Sequence, residues 1–442
     1  MGRLNWIAAG LLAGAGMTIL PVPGAAATMS AQAAAAQPDV DALLEGVARG
    51  EMAPIDQALA GPLPADTAAL LRAARRAASY DATVTADPAL ARLAASPDPV
   101  LRRAALSLLT AAAFANSDYA RAASAGRQLE EALRAGGKLR EAEGVARSWR
   151  LAALLDDRTG LRQGNVSPGS IAANRDVVGM NRIQIEVNGT AQEAVIDTGA
   201  NLSVLSAETA RRLGVTQIEG GVDVENSVEG TVPVRVGIVE RMEIAGTTLR
   251  NVPVLIIDDS ALSFTLPTGP FSIKAIVGLP ELRALGRVQI SATQFSVLAP
   301  AAAGAAEAQN LHGNAGEAYV DIALGGRTVP LLLDTGANRT SLSARYAAAN
   351  AEAVAALPTR SASNQGAGGV RAQAVARWTD VPVAIGGREL VLPEISIALP
   401  VAGSPPPQSN GTFGQDVLRR FESYTLDFRA MRLSLGAPVA GQ

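Results

Sequence analysis

Two copies of one short stretch carry the residues with the clearest potential for chemistry. Residues 195–201 read Val-Ile-Asp-Thr-Gly-Ala-Asn, and residues 332–338 read Leu-Leu-Asp-Thr-Gly-Ala-Asn. In each copy an aspartate, Asp197 or Asp334, follows an apolar run and precedes a Thr-Gly turn, a pattern typical of a buried strand that enters a tight turn. Because the two copies have matching surroundings, they can supply a pair of facing carboxylates.

Such a pair can hydrolyse a peptide bond. Two carboxyl groups at close range cannot both ionise at low cost, so they share one proton and titrate as a unit. The ionised group takes a proton from a water molecule, while the protonated group polarises the scissile carbonyl and later passes a proton to the leaving nitrogen. Asp197 and Asp334 are therefore the candidate catalytic residues.

The composition removes most other routes to hydrolysis. The 442-residue chain has no cysteine and one histidine, which excludes a thiol nucleophile, a disulfide framework and a zinc site made of several histidines. A Ser-His-Asp triad would need His312, which lies in an Ala/Gly-rich stretch and is expected to be a solvated linker residue. We expect no cofactor and no metal ion. The formal net charge of −3 gives no reason to expect a nucleic-acid partner.

The N-terminus has the features of an export signal. Arg3 precedes an uncharged apolar run over residues 6–20, and prolines and small residues follow it. This pattern predicts a signal peptide over residues 1–27, a disordered leader over residues 28–38 and a periplasmic or secreted protein. If the signal stays uncleaved, it is the part of the chain that would contact a membrane.

The hydrophobic periodicity of the remaining sequence changes once, from a helical to a β pattern. Apolar residues recur every three or four positions over residues 39–160, which predicts an α-helical domain of antiparallel hairpins. Its role stays open between a pro-segment, a docking module for a protein partner, a spacer and a solubilising scaffold. After a predicted linker over residues 161–177, short alternating runs separated by Gly and Asn turns predict β structure. We divide it into two β lobes, residues 178–300 and 317–438, with a second linker over residues 301–316.

The two β lobes align with each other over most of their length, which indicates an internal duplication. After each Asp-Thr-Gly, the sequence predicts a short helix, a polar hairpin, an apolar-apolar-glycine segment and a closing strand. These elements fall at residues 208–213, 222–235, 275–278 and 288–298 in the first lobe, and at residues 344–349, 361–374, 411–414 and 424–435 in the second. One difference stands out: the second glycine segment continues Gln415-Asp416, whereas the first continues Leu279-Pro280 and lacks the aspartate.

This order of elements resembles the aspartic proteases, most closely the retropepsin-like bacterial branch, with two lobes fused in one chain as in pepsin. The resemblance covers about residues 178–438. It implies a mainly β, two-lobed fold and an activity that cleaves polypeptide substrates. It implies that Thr198 and Thr335 hydrogen-bond across the lobe interface. The remaining residues it assigns are the supporting loop residues Gly199, Ala200, Gly336 and Ala337, the glycines Gly278 and Gly414 behind the loops, and the substrate-binding flap residues Asn226, Ser227, Gly230, Gly366, Gly368 and Gly369.

A departure from pepsin lies next to each aspartate. Pepsins usually carry Ser or Thr where this chain has Ala200 and Ala337, and alanine cannot donate a hydrogen bond to the ionised pair. Since such a donor favours the charged form, its loss predicts a pair with higher pKa values than in pepsin and a pH optimum nearer to neutral.

Two other readings compete with an active endopeptidase of exported polypeptides. A peptide-binding or regulatory protein could keep the fold without turnover, although both Asp-Thr-Gly motifs are intact. Alternatively, the repeats could be structural turns of a β-sandwich, in which case Asp197 and Asp334 would lie far apart.

Overall fold

The computed structural model describes residues 5–6, 39–155, 160–164, 166–225, 231–266, 269–301, 308–366, 369–404 and 407–439. Apart from residues 5–6, the predicted signal peptide and leader lie outside the described residues. The predicted flap residues Asn226, Ser227, Gly230 and Gly368 also lie outside them. No helix in the described ranges is both long and apolar enough to cross a membrane.

Residues 39–155 fold into the helices that the three- and four-residue spacing predicts. They are α1 (Val40–Ala48), α2 (Met52–Ala60), α3 (Ala65–Ala77), α4 (Pro88–Ala94), α5 (Pro99–Ala115), α6 (Tyr119–Ala135) and α7 (Leu139–Leu155), with a 3₁₀ turn at Ala82–Ala86. Asp98 and Asp118 accept backbone N–H groups at the starts of α5 and α6, which satisfies donors that have no partner within the helix. At the start of α3, Pro64 occupies the N-cap position and Asp66 lies in the first turn.

The first β lobe follows. Strand β1 (Asn5–Trp6) precedes the helical domain in the chain. The strands of the first lobe are β2 (Arg162–Gln163), β3 (Gly169–Arg175), β4 (Asn181–Val187), β5 (Thr190–Ile196), β6 (Ser203–Ser206), β7 (Thr216–Gln217), β8 (Val222–Glu225), β9 (Thr231–Ile244), β10 (Thr247–Ile257), β11 (Ser263–Leu266), β12 (Gly269–Ser272), β13 (Ala275–Val277), β14 (Arg287–Ser291) and β15 (Gln294–Val297). Its helices are α8 (Ala207–Arg212) and α9 (Leu279–Leu285), with a 3₁₀ turn at Asp259–Leu262.

The second lobe repeats the plan. Its strands are β16 (Leu311–Asn314), β17 (Glu317–Leu324), β18 (Arg327–Leu333), β19 (Ser341–Leu342), β20 (Thr359–Gly366), β21 (Gly369–Ile385), β22 (Arg388–Ala398), β23 (Gly411–Phe413), β24 (Ser423–Asp427) and β25 (Arg432–Leu435). Its helices are α10 (Ala344–Ala349), α11 (Ala351–Ala355) and α12 (Gln415–Leu418). Strand β20 forms a hairpin with β21 and also pairs in parallel with β1. The predicted mainly β, two-lobed fold with an N-terminal helical domain is confirmed.

Corresponding strand pairs build the centre of each lobe. Strand β5 lies parallel to β13, with Val195 opposite Ile276, and β18 lies parallel to β23, with Leu332 opposite Thr412. Strand β6 in turn lies parallel to β10, as β19 does to β22. Each Asp-Thr-Gly thus leaves its strand beside the strand that ends in the glycine segment.

Each half closes with a hairpin and not with the single strand that the sequence suggested. Strand β14 turns back as β15, and β24 turns back as β25; Asp427 accepts the backbone N–H groups of Arg429 and Ala430 in the second turn. Strand β24 pairs with β14, where Gln289 lies opposite Thr425. The C-terminal hairpin therefore extends the sheet of the first lobe and joins the two lobes.

The structure also corrects the two predicted linkers. Strand β3 lies within residues 161–177 and pairs with β4 and β15, and β16 lies within residues 301–316 and pairs with β17. His312, expected to be solvated, is buried in β16, where its Nε2 lies 2.8 Å from Oδ2 of Asp321. The Gly- and Asn-rich composition of these stretches favoured a linker prediction, but pairing with neighbouring strands stabilises short strands there.

The helical domain shares a hydrophobic core with the first lobe. Apolar side chains of α5, α6 and α7, among them Ala113, Tyr119 and Leu151, pack in one cluster with Ala200 and Leu202 of the first Asp-Thr-Gly loop. Such burial is worth about 25 cal/mol per Å² of apolar surface. The helices are therefore packed onto the β lobe and do not form a separate, tethered unit.

Candidate active site

Asp197 and Asp334 occupy equivalent positions at the ends of β5 and β18. Their side chains are 0% and 1% exposed. The backbone N–H of Asp197 donates to the carbonyl of Val277 at 3.0 Å, and that of Asp334 donates to the carbonyl of Phe413 at 3.0 Å. Each aspartate is thus fixed by the strand that precedes the glycine segment of its own lobe.

The two loops face each other across the lobe interface. A Cβ atom added to Gly199 would lie 2.7 Å from Cγ of Asp334, and one added to Gly336 would lie 2.6 Å from Cγ of Asp197. Each glycine therefore packs directly against the aspartate of the opposite lobe, and no larger residue fits at either position. This crossed packing brings the two carboxyl groups together, so the β-sandwich reading, in which they lie far apart, is wrong.

Reciprocal hydrogen bonds of the two threonines lock the loops. The backbone N–H of Thr198 donates to Oγ1 of Thr335 at 3.0 Å, and Thr335 returns the bond to Oγ1 of Thr198 at 3.0 Å. The hydroxyl of Thr198 donates to the carbonyl of Leu333 at 2.7 Å, and that of Thr335 to the carbonyl of Ile196 at 3.0 Å. All four bonds are buried, and the carboxyl groups on these loops are held in fixed relative positions.

Backbone donors serve the carboxyl groups unequally. Oδ1 of Asp197 accepts the N–H of Gly199 at 2.8 Å, whereas Oδ1 of Asp334 accepts two N–H groups, from Gly336 at 2.9 Å and from Ala337 at 2.8 Å. Oδ2 of Asp197 has no hydrogen-bond donor among the described residues. By hydrogen-bond geometry Asp334 thus has one more backbone donor than Asp197, although the N–H of Gly336 also favours the charged form of Asp197.

The pKa values of both aspartates are raised. Burial, followed by the negative charge of Asp334, raises the pKa of Asp197 well above its usual range. Burial raises the pKa of Asp334 to about 6, against the opposing effect of its hydrogen bonds. Because burial raises both pKa values and the two acids lie close together, they titrate as a unit, and the form with one shared proton is favoured.

The glycine segments lie behind the loops. The N–H of Leu279 donates to the carbonyl of Ala200 at 2.8 Å, and the N–H of Gln415 donates to the carbonyl of Ala337 at 2.8 Å. A Cβ atom on Gly278 would lie 2.7 Å from the carbonyl oxygen of Ala200, so this close approach requires glycine. The corresponding Cβ atom on Gly414 would lie 2.6 Å from the carbonyl carbon of Arg339.

Sequence comparison of the lobes missed an acid behind the first loop. In the second lobe, Oδ1 of Asp416 accepts the N–H and the hydroxyl of Thr340, each at 2.7 Å. In the first lobe, Ser203 takes the place of Thr340 and donates its hydroxyl to Oε2 of Glu281 at 2.7 Å. The first lobe therefore has a substitute for the missing aspartate, one position further along the chain. An acidic residue in the otherwise apolar start of α9 was the signal that could have revealed it.

Glu281 is less well satisfied than Asp416. It is 0% exposed, and its Oε1 has no hydrogen-bond partner among the described residues. Burial raises the pKa of Glu281 to about 7, although the hydroxyl of Ser203 opposes the shift. Burial also raises the pKa of Asp416, against the two donors on Thr340. The two acids occupy corresponding places in different electrostatic surroundings.

The predicted flaps are hairpins in both lobes. Strand β8 pairs with β9 between Glu225 and Thr231, and β20 pairs with β21, where Gly366 lies opposite Gly369. The other predicted flap residues lie outside the described part of the chain. No group of three or more metal-ligating side chains occurs in the ranges that the structure describes.

Residues 183–279 match the aspartyl protease family. The match runs from β4 to the start of α9 and so contains Asp197 and the loop around it. Among solved structures, the chain matches the crystal structure of a retropepsin-like aspartic protease from Rickettsia conorii with 17% identity and a TM-score of 0.23, over 31% of this chain and 96% of that chain. No match was found among curated proteins. The predicted resemblance to aspartic proteases is confirmed over residues 183–279.

Proposed function

We propose that the protein is an aspartic endopeptidase that hydrolyses peptide bonds of exported polypeptides through a water molecule activated between Asp197 and Asp334. The family match and the fold support protease activity in general. The observation that carries the two-aspartate mechanism is the crossed packing, in which Gly199 contacts Asp334 and Gly336 contacts Asp197. This packing supports a single site to which each lobe contributes one acid.

The different numbers of backbone N–H donors on Asp197 and Asp334 favour different roles for the two acids. Asp334, with two backbone N–H groups on one oxygen, is the ionised member and takes a proton from the water. Asp197 holds the shared proton, donates it in a hydrogen bond to the scissile carbonyl and stabilises the oxyanion that forms when the water attacks. Asp334 then passes the proton that it took from the water to the leaving nitrogen, and the oxyanion re-forms the carbonyl as the C–N bond breaks. Asp197 keeps its proton, so the pair again holds one.

The substrate class follows from the architecture. Both lobes carry a hairpin whose strands can pair with an extended polypeptide backbone. The predicted signal over residues 1–27 supports an encounter with polypeptides outside the cytoplasm, in the periplasm or after secretion.

The direct test uses purified protein that lacks residues 1–27, incubated with an unfolded protein and analysed by mass spectrometry. We expect cleavage within the chain, which Asp197→Asn and Asp334→Asn each abolish. Asp258→Asn is the matched control because Asp258 has an exposed side chain that pairs with Arg235, and we expect it to cleave like the wild type. Retention of uncleaved peptides by the wild type would favour the peptide-binding alternative, and cleavage by either dyad variant would refute the mechanism.

A further inference from the structure

Helix α9 makes contacts in two directions. Towards the active site, Leu279 donates its N–H to Ala200, and Glu281 accepts the hydroxyl of Ser203 at 2.7 Å. That hydroxyl in turn accepts the N–H of Gly278 at 2.9 Å. One end of the helix is thus hydrogen-bonded to the loop that carries Asp197 and to the strand that follows it.

Towards the helical domain, the same helix presents Arg283. Its guanidinium group lies 3.5 Å from the centre of the Tyr80 ring. It donates to the carbonyl of Ala115 and, at 3.3 Å, to Oδ1 of Asn116 at the end of α5. A guanidinium group is suited to such a site because its planar donors and its charge can serve carbonyl and aromatic partners together.

Tyr80 extends this contact to the second lobe. Its hydroxyl donates to the carbonyl of Glu317, and its ring fills the space that a side chain on Gly313 would need. The aromatic ring under Arg283 is therefore itself held between the helical domain and β16–β17. The contact between Arg283 and Tyr80 therefore cannot shift without moving α9, the helical domain or β16–β17.

The second lobe has no such arrangement at the corresponding residue. Arg419 follows Gly414 at the same offset at which Arg283 follows Gly278, and its guanidinium group lies beside Gly179 of the first lobe. The helical domain meets the second lobe elsewhere, for example where Asn314 donates to the carbonyl of Ala48 at 3.0 Å. The helical domain thus supports the two catalytic loops unequally.

We propose that α9 couples the helical domain to the first catalytic loop, so that the helical domain holds Asp197 in position through Arg283, Glu281 and Ser203. This proposal rests on the proposed protease function, and it makes the helical domain a permanent part of the active site and not a removable pro-segment. Arg283 and Glu281 are positioning residues in this scheme. The shared core of α5–α7 with Ala200 and Leu202 places apolar contacts along the same route.

The test compares Arg283→Met with Arg419→Met and Asn314→Ala in the otherwise intact protein. Methionine keeps most of the volume of arginine and removes its charge and its donors. We expect Arg283→Met to lower kcat about tenfold, equivalent to about 1.4 kcal/mol of transition-state stabilisation, with little change in KM. The two control variants should retain wild-type kcat. Arg283→Lys, which restores a cation over Tyr80, should recover part of the loss.

Hydrogen exchange supplies a readout that does not need turnover. Backbone amides of residues 197–204 should exchange faster in Arg283→Met than in the wild type, whereas amides of residues 334–341 should not. The proposal would be overturned if Arg283→Met accelerated exchange equally in both loops, or if it changed neither the exchange rates nor kcat relative to the wild type. If Arg283→Met fails to fold, Asn116→Ala removes one acceptor of the same guanidinium group and must show the same selective exchange. An enzyme without measurable protease activity would refute the proposed function and leave the exchange result to decide the coupling.

Discussion

Glu281 allows a quantitative prediction of how stability depends on pH. Glutamine at this position keeps the size of the side chain and an oxygen that can accept from Ser203, but it cannot ionise. In the folded wild-type protein the pKa of Glu281 rises from 4.5 to about 7. The folded state therefore binds this proton more tightly than the unfolded state, and ionisation of Glu281 destabilises the fold as pH rises from about 4.5 to about 7.

The size of the effect follows from that shift. Each pKa unit is worth about 1.4 kcal/mol, so the shift corresponds to about 3 kcal/mol of stability lost from the wild type between pH 4 and pH 8. Glu281→Gln lacks this loss. Any cost of the amide itself is the same at both pH values, and the dyad contributes equally to both proteins. The free energy of unfolding of Glu281→Gln, relative to that of the wild type, should therefore increase by about 3 kcal/mol between pH 4 and pH 8.

Urea denaturation, followed by circular dichroism at several pH values, measures this difference. Asp416→Asn is the matched control: Asp416 accepts two hydrogen bonds on one oxygen, and removing its charge disrupts a better-satisfied site. We expect a smaller pH-dependent gain for the control. A difference between Glu281→Gln and wild type that stays constant from pH 4 to pH 8 would refute the reasoning, because it would mean that Glu281 does not change protonation on folding.

Three further predictions concern the dyad and its loops. Thr335→Val keeps the side-chain shape but leaves the N–H of Thr198 and the carbonyl of Ile196 without partners, so it should lower the free energy of unfolding by about 2–4 kcal/mol, whereas Thr216→Val on an exposed edge strand should have little effect; equal urea midpoints would contradict this. Gly336→Ala places a methyl group 2.5 Å from Oδ2 of Asp197 and should abolish cleavage while circular dichroism stays that of the wild type; full activity would show that the crossed packing is not needed. Burial raises the pKa of both acids, that of Asp334 to about 6. The singly protonated pair therefore forms as pH rises through about 6, and kcat should increase from pH 4 to pH 7; a kcat that still increases as pH falls below 3 would contradict this prediction.

The duplicated motif was the part of the site that sequence alone could predict. Asp197 and Asp334 lie in nearly identical heptapeptides, and the offsets of Gly278 and Gly414 identify the segments behind them. These features are local, because a buried strand followed by Thr-Gly has a limited choice of conformations. The pairing of Thr198 with Thr335 followed from the resemblance and not from the residues themselves.

Features that depend on distant contacts were not predictable. Glu281 is offset by one residue from Asp416, and only the fold shows that both acids bind the residue six positions after the aspartate. His312 looked solvated because its neighbours are small, yet it lies in β16, which pairs with β17, and is buried. The packing of α5–α7 against the first loop has no sequence signature, since the alanines and leucines involved would suit any helical bundle.

The hairpin β24–β25 has a consequence for the order in which the chain can mature. Thr425 bonds to Gln289 across a sequence separation of 136 residues, and such distant pairing forms late in folding. Until the second half of the chain has folded, the first lobe has one acid of the pair, and β14 lacks its partner β24. Under the proposed two-aspartate mechanism, cleavage of peptide bonds would then begin only after the C-terminal strands have paired with the first lobe.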